Sequence, residues 1–343
     1  MAWLLYGANG YSGELIAREA VRRGHRPFLA GRNRERIEPL ARELSCQSRV
    51  FTVDRPDLTG VELVLHCAGP FVRTALPMVR ACLAAKAHYL DITGEIDVFE
   101  QIFQLDGEAK SAGVTLLPGT GFDVVPTDCL AAMLAARLPG AEELILAFYS
   151  RGGSLSRGTL KTMMESLHEG GAVRRDGRIV RVPLGRDARE IPFSCGPRMA
   201  MAIPWGDVAS AYRTTGIPNI RVYNAASPRA ITRARRMARL AALLRFAPLR
   251  RLLQRYADRR TGPPESVRSS ARTYLWGSAS APGGREVAMT METPEGYAFT
   301  ALSAVAAVER MLEGGIAAGS LTPALAFGPG FVRGIGGVVV GDE

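Results

Sequence analysis

The apolar run WLLYGA meets the helical stretch YSGELIAREAVRRG at a turn with glycine at every third position: Gly7, Gly10 and Gly13. That junction leaves few folds open. A chain that leaves a strand, turns at once and enters a helix needs glycine where the backbone closes tightly. Its amides then face outward for a pyrophosphate, and the helix N-terminus adds partial positive charge. The spacing is GxxGxxG rather than GxGxxG, so its place between strand and helix carries the reading and not the pattern alone. A tight turn whose glycines serve only packing is the alternative.

The first third of the chain supports that placement. Leu15, Ile16 and Ala20 form one apolar helical face, and Gly24 stands where the helix should stop. PFLAGR follows as a second strand. RERIEPLAREL then reads as a second amphipathic helix that Pro39 is expected to kink or restart. SRVFTV, ELVLHCAG, HYLDI and VTLLPG read as further buried strands, with helices expected at Ala75 to Lys86 and Val98 to Ala112. Strands alternating with helices at this spacing predict a parallel, doubly wound sheet with helices on both faces.

The end of the second strand selects the cofactor. An NAD site usually places Asp or Glu there for the ribose 2′-hydroxyl. Here the sequence reads Gly31, Arg32, Asn33, and the nearest acid, Glu35, already lies in the next helix. Arg32 can pair with a 2′-phosphate and stack on adenine, with Asn33 beside it, so NADP(H) is the expected cofactor. A solvated turn arginine is the other reading. At the end of strand four, Ala68, Gly69 and Pro70 stand where backbone should pass the nicotinamide ribose.

Composition excludes several classes. Five scattered cysteines without a CxxC, and four dispersed histidines, predict reduced thiols and no metal site. No apolar run approaches a membrane span, and the early first strand leaves no room for a leader. The expected location is the cytoplasm, peripheral at a membrane if the basic segment binds one.

The second half reads as antiparallel. EELILAFYS is a strand, and GTLKTMMESLHEG is a helix capped by Ser156 or Thr159, both candidates to meet the substrate. RIVRV, REIPF, RMAMAIP, IPNIRVYNA, RSSARTYLWGSAS and GREVAMTMET supply further strands. Such a sheet suits substrate shaping and homodimer formation. Residues 228–260 hold eleven arginines and one acid in a chain of net charge +10. This segment can pack its apolar stripe with arginines in water, lie on an anionic membrane surface, or dock an acidic acyl carrier protein. Nucleic acid is not expected, since no aromatic platform accompanies the arginines.

The stretches GANGYSG, AGRN, CAGPF, HYLDITGE, GTGFDVVPTD, SRGTLKTM, WGDVASAYRTTGIPNI, TPEGYAFTALSAVAAVERML and LTPALAFGPGFV resemble the saccharopine dehydrogenase-like oxidoreductases. Among these the trans-acting enoyl reductase subgroup is the nearest in look. The resemblance implies an α/β fold with an N-terminal Rossmann-type sheet at 1–128. An inserted α+β domain with a mixed or antiparallel sheet follows at 129–294, and 295–343 return to the first domain. It also implies that Asn9, Tyr11 and Ser12 join the glycines in holding the cofactor, although Asn9 and Ser12 stand where the family usually has threonine. Arg157 stands where glycine is expected.

Candidate chemical groups gather at the ends of strands five and six: His88, Tyr89, Asp91, Glu95 and Asp123. Asp123 ranks first because it lies in the family motif GFDxxPxD. It reads equally as a cap for a helix near Val124. Asp91 can instead be a buried residue fixing loops, His88 an edge histidine and His25 a structural one. Lys161 and His168 share the 158–170 helix without any signal aiming them inward. The expected activity is NADPH-dependent reduction of an activated C=C bond in an enoyl thioester. A saccharopine-type C–N oxidoreductase and a non-catalytic NADP-binding protein are the alternatives.

Overall fold

The structure is a computed structural model and describes residues 2–152, 170–240 and 262–342. In chain order its elements begin with β1 (Trp3–Tyr6), α1 (Tyr11–Arg22), β2 (Phe28–Gly31), α2 (Arg34–Glu43), β3 (Ser48–Val50), β4 (Leu63–His66), α3 (Phe71–Ala85) and β5 (His88–Asp91). Next come α4 (Ile96–Phe103), α5 (Asp106–Ala112), β6 (Thr115–Leu117), α6 (Val125–Arg137), β7 (Glu143–Arg151), β8 (Gly171–Arg175), β9 (Arg178–Val182), β10 (Ala188–Phe193) and β11 (Gly196–Ala202). The remainder are α7 (Asp207–Thr215), β12 (Asn219–Ala225), α8 (Pro228–Leu240), α9 (Glu265–Ser270), β13 (Arg272–Ser280), β14 (Glu286–Pro294), α10 (Gly296–Glu313), β15 (Gly319–Ser320), α11 (Pro323–Phe327) and β16 (Val339–Asp342). They form two compact units, Met1–Val125 with Tyr297–Gly336 and Pro126–Gly296 with Gly337–Glu343.

The first unit is a seven-stranded sheet in the order β15-β6-β5-β4-β1-β2-β3, with every pairing parallel. Its central strands are apolar on both sides because both faces are covered. Leu5, Leu29 and Leu65 point to one face, where they pack with Ile16 of α1, Ile37 of α2 and Val305 and Val308 of α10. Leu4 and Val64, one residue out of step, point to the other face and meet Met78 and Val79 of α3, Ile102 of α4 and Ala109 of α5. All of these are fully buried, and each large one contributes about 1.5–3 kcal/mol of burial. The strand order reverses between β1 and β4, which defines the switch point where such sheets receive ligands.

Boundaries depart from expectation where local partners decide them. The helix after β4 starts at Phe71 rather than Ala75. The stretch 98–112 is broken between α4 and α5, and α2 runs unbroken through Pro39. Gly24, at φ +91°, ends α1 as expected, with its amide and that of His25 closing on Val21 and Ala20.

Among the described residues the second unit holds nine strands in the order β10-β11-β12-β7-β13-β14-β16, with β8 on β12 and β9 on β8. The β12–β7 pairing is parallel and the rest are antiparallel, so the sheet is mixed. A β-carbon on Gly277 of β13 would stand 2.9 Å from Leu134 of α6, which shows how closely that helix lies on the sheet. The tail corrects the expected division at 295–343: β16 pairs with β14 in the second unit, and only 297–336 belong to the first. No helix among the described residues is long and apolar enough to cross a membrane.

Candidate dinucleotide and active site

The three opening glycines carry three different duties. Gly7 adopts φ +84°, and a β-carbon there would lie 2.8 Å from the Ala68 amide nitrogen and 2.9 Å from the Cys67 carbonyl carbon. The turn after β1 thus presses on the end of β4, at the switch point. Gly10 caps α1 in extended backbone, donates its amide to the Gly7 carbonyl at 2.9 Å and sets no side chain over the first helical amides. Gly13 lies inside the helix, where a β-carbon would come within 2.2 Å of the Gly7 carbonyl oxygen. Turn, approach and helix packing are the division of labour a pyrophosphate cradle requires.

Around this cradle, Asn9 aims its amide oxygen at Gly31, where a β-carbon would be 3.0 Å away. Arg32 follows at once and is exposed. Its charge draws the Tyr6 phenol down, while burial and Asp54 push it up; burial wins. Ser12 is half-buried in the first turn of α1, and Tyr11 meets the ring of Tyr297 edge-on at 5.0 Å. Asn33 accepts the Arg36 amide on its side-chain oxygen at 3.2 Å and so caps α2, while lying exposed beside Arg32.

The end of β4 is held from below. Thr74 donates its hydroxyl to the Ala68 carbonyl at 2.6 Å, so its oxygen accepts from Nε2 of His66 at 3.0 Å. His66 is wholly buried among Tyr6, Phe71 and Tyr89, and burial lowers its pKa to about 3. Nδ1 finds no partner among the described residues. This buried relay under Ala68, Gly69 and Pro70 had no signal in the sequence beyond a histidine ending an apolar run.

Four sequence candidates, Tyr89 and Asp91 within β5 and Glu95 and Asp123 in the loops after β5 and β6, have different fates. Tyr89 is fully buried and donates to Oδ2 of Asp91 at 2.8 Å, which takes it away from any substrate. Asp91 is equally buried. Its Oδ1 accepts from the amides of Thr93 at 2.9 Å and Gly119 at 2.8 Å, and its backbone carbonyl accepts from Thr120. It therefore fixes two loops, and burial raises its pKa to about 6 against those hydrogen bonds. Glu95 accepts from the amides of Phe71 and Val72, each at 2.8 Å, and so satisfies the first turn of α3. Both Asp91 and Glu95 are committed to structure rather than open to a substrate.

Asp123 differs. It is half-buried in the turn after β6, two residues ahead of α6, outside the cap position that the helix itself uses. A β-carbon on Gly94 would lie 2.6 Å from its Oδ2, so the carboxyl rests directly on that glycine. Its neighbour Phe122 is held by the Thr300 hydroxyl at 3.0 Å and packs edge-on against Phe299. Loss of water, then the charge of Glu95, raise the Asp123 pKa to about 7. A carboxyl of that kind exchanges its proton near neutrality. Gly94, the residue that admits it, escaped notice because nothing in a TGE run marks what its missing side chain makes room for.

Other candidates are structural or lie elsewhere. His88 accepts the Thr115 amide at 2.9 Å and joins β5 to β6, and His25 pairs with Glu309 at 3.1 Å. Ser156, Arg157, Thr159, Lys161 and His168 lie outside the described residues, as does the part of the arginine-rich segment from 241 to 260. In its described part, α8, Ile231 is buried and Arg235 bonds the Gly185 carbonyl at 2.6 Å, while Arg229, Arg233 and Arg236 are exposed.

Comparison with known proteins agrees with the cradle. Residues 3–117 match the family model described as the saccharopine dehydrogenase NADP binding domain. A Mycobacterium tuberculosis protein, provisionally named a trans-acting enoyl reductase, is 32% identical over 188 residues, covering 48% of this chain and 43% of the relative. Trans-acting enoyl reductases of Mycobacterium bovis and Mycobacterium ulcerans are 31% and 32% identical, each covering 36% of this chain and 33% of the relative. The chain thus spans less than half the length of these curated relatives. The saccharopine dehydrogenase (L-Glu forming) of Saccharomyces cerevisiae shares the fold from end to end. Its TM-score is 0.66 at 12% identity, over 100% of this chain and 99% of that one.

Proposed function

We propose that this chain, whose first unit is a saccharopine dehydrogenase-type NADP-binding domain, is an NADPH-dependent reductase of the activated C=C bond of an enoyl thioester. Asp123 is its proton source. The dinucleotide fits the residues present: Gly7, Gly10 and Gly13 keep side chains out of the pyrophosphate turn, Asn9 and Ser12 border it, and Arg32 offers a bidentate cation for the 2′-phosphate. Ala68, Gly69 and Pro70, held by Thr74, form the backbone edge beside the nicotinamide. When bound, NADPH supplies a hydride for the β-carbon of the double bond.

The α-carbon then needs a proton, and the carboxyl of Asp123 carries one near neutrality. After it gives that proton to carbon, the resulting carboxylate is desolvated beside Glu95, and solvent restores the proton. The Asp123 carboxyl, seated on Gly94 in the turn that follows β6 of the dinucleotide-binding sheet, is the observation on which the reading rests. The mycobacterial relatives named as trans-acting enoyl reductases support the choice of C=C over C=N. In the second unit, α8 turns Arg229, Arg233 and Arg236 outward with its Ile231 already buried. Such a face suits an acidic carrier protein bearing the thioester better than insertion among lipid chains.

The test is NADPH oxidation across enoyl thioesters, on coenzyme A and on an acyl carrier protein, with 2-oxo acid plus amine mixtures in parallel. Turnover on the thioesters, lowered about 100-fold or more in Asp123→Asn, is the expected result. Turnover confined to the amine mixtures overturns the reading in favour of C–N chemistry. Tight NADPH binding with no turnover on either class overturns catalysis on both.

A further inference from the structure

The carboxylate of Glu95 reaches the start of a helix that lies more than twenty positions earlier in the chain. α3 begins after Pro70, which has no side-chain group to cap it. Its first two amides, Phe71 and Val72, are satisfied by Oε1 and Oε2 of Glu95, and the helix dipole favours a negative charge at that point. Two amide donors and the helix dipole favour the ionised form of that acceptor. Its own backbone is fixed on both sides: the Glu95 amide donates to the Thr93 hydroxyl at 3.1 Å, and its carbonyl receives Val98 at 3.0 Å. The residue just before it is Gly94, on which Asp123 rests.

We propose that Glu95 is a positioning residue for Asp123: anchored on the amides that open α3, it fixes Gly94 as the seat of the Asp123 carboxyl and holds a negative charge beside it. The inference rests on the reading of Asp123 as the proton-giving group. Each element packed around Asp123 brings an identifiable neighbour. The loop after β5 brings Gly94 and the charge of Glu95, and α10 brings the Thr300 hydroxyl and the apolar ring of Phe299 to the adjoining Phe122. Asp91, at the end of β5, has its own oxygens engaged by Thr93, Gly119 and Tyr89. Glu95 is thus a charged group that acts on Asp123, and a second charge beside it is disfavoured. Removing the first charge lets Asp123 release its proton at lower pH.

The experiment is a carbon-13 titration of aspartate carboxyls in the full chain, with Asp123→Asn assigning the resonance and Glu95→Gln and Glu95→Asp compared with wild type. Glu95→Gln keeps size and an acceptor but removes charge, so the Asp123 midpoint falls below that of wild type. Glu95→Asp keeps charge, so the midpoint stays near wild type although hydrogen-exchange protection at Phe71 and Val72 drops. An unchanged midpoint in Glu95→Gln overturns the proposal. So does a fall of the midpoint below wild type in Glu95→Asp, and that arm decides alone if the glutamine variant does not fold. None of these readings needs a substrate, so failure of the enoyl assignment is seen separately, in the turnover panel. Where turnover is present, the alkaline fall in rate moves to lower pH in Glu95→Gln by the same interval as the midpoint.

Discussion

Gly94 and Asp123 touch so closely that no β-carbon fits between them: one built on Gly94 would stand 2.6 Å from Oδ2 and 3.1 Å from Cβ of Asp123. Gly94→Ala therefore displaces the carboxyl while leaving the dinucleotide cradle alone. The expected outcome is a fall in kcat of about 10-fold or more, since misplacements near an ångström cost this much. The KM for NADPH should hold near wild type. A variant with wild-type kcat would remove Asp123 from the proton transfer.

Arg32 is the test of cofactor choice. Charge-assisted hydrogen bonds contribute about 1.5–3 kcal/mol each, so Arg32→Ala should weaken NADPH about 10-fold to 100-fold. NADH, which lacks the 2′-phosphate, should lose much less. Fluorescence titration of each nucleotide measures both, and equal losses would make Arg32 a turn residue only.

Asp123→Asn should also change how stability depends on pH. The carboxyl titrates at about 7 when folded, against an ordinary value of 3.8. Between these the folded chain binds the extra proton, so the wild type loses stability as pH rises through that window. Asparagine does not titrate. The variant should therefore melt above the wild type at mildly alkaline pH, with the gap closing on acidification at about 1.4 kcal/mol per pH unit. Parallel melting curves at all pH values would show that the carboxyl is not desolvated.

His66 has the opposite sign. Its folded value of about 3 lies below the ordinary 6.5, so the unfolded chain binds more protons between them and stability is lost as pH falls. His66→Leu gives up the bond to Thr74 and also removes the unpartnered Nδ1, so denaturant unfolding near neutrality should change little. On the acid side the variant should resist unfolding better than wild type. A steeper acid loss in the variant would contradict the buried neutral imidazole.

The dinucleotide cradle was legible because its constraints are local. Gly7 and Gly13 answer to atoms within a few residues or across the adjacent strand, and Arg32 follows directly on the end of β2. Alternating apolar runs likewise announced the parallel sheet, since burial on both faces leaves a mark in every strand. The candidate groups around β5 and β6 were only half legible. That Glu95 belongs to α3 depends on a contact across 24 positions, and His88 and Tyr89 stand at the start of β5 rather than at its carboxyl end, with Tyr89 inside. At Asn33, capping and cofactor contact ask for the same side chain in the same place, and the structure shows the cap. β8, β15 and β16 went unseen because short strands are set by their partners rather than by their own composition.

The chain passes between its two units three times, at 125/126, 296/297 and 336/337, and the last strand of the dinucleotide sheet, β15, is only two residues long. A ribosome making this protein releases β1 to β6 long before the segment that pairs with β6 exists. Until residues 319–320 emerge, the outer edge of β6 stays open, and until α10 emerges so does the face that Ala304, Val305 and Val308 will cover. The first unit therefore waits for residues 297–336 and the second for β16, so each matures only after the chain has crossed to the other.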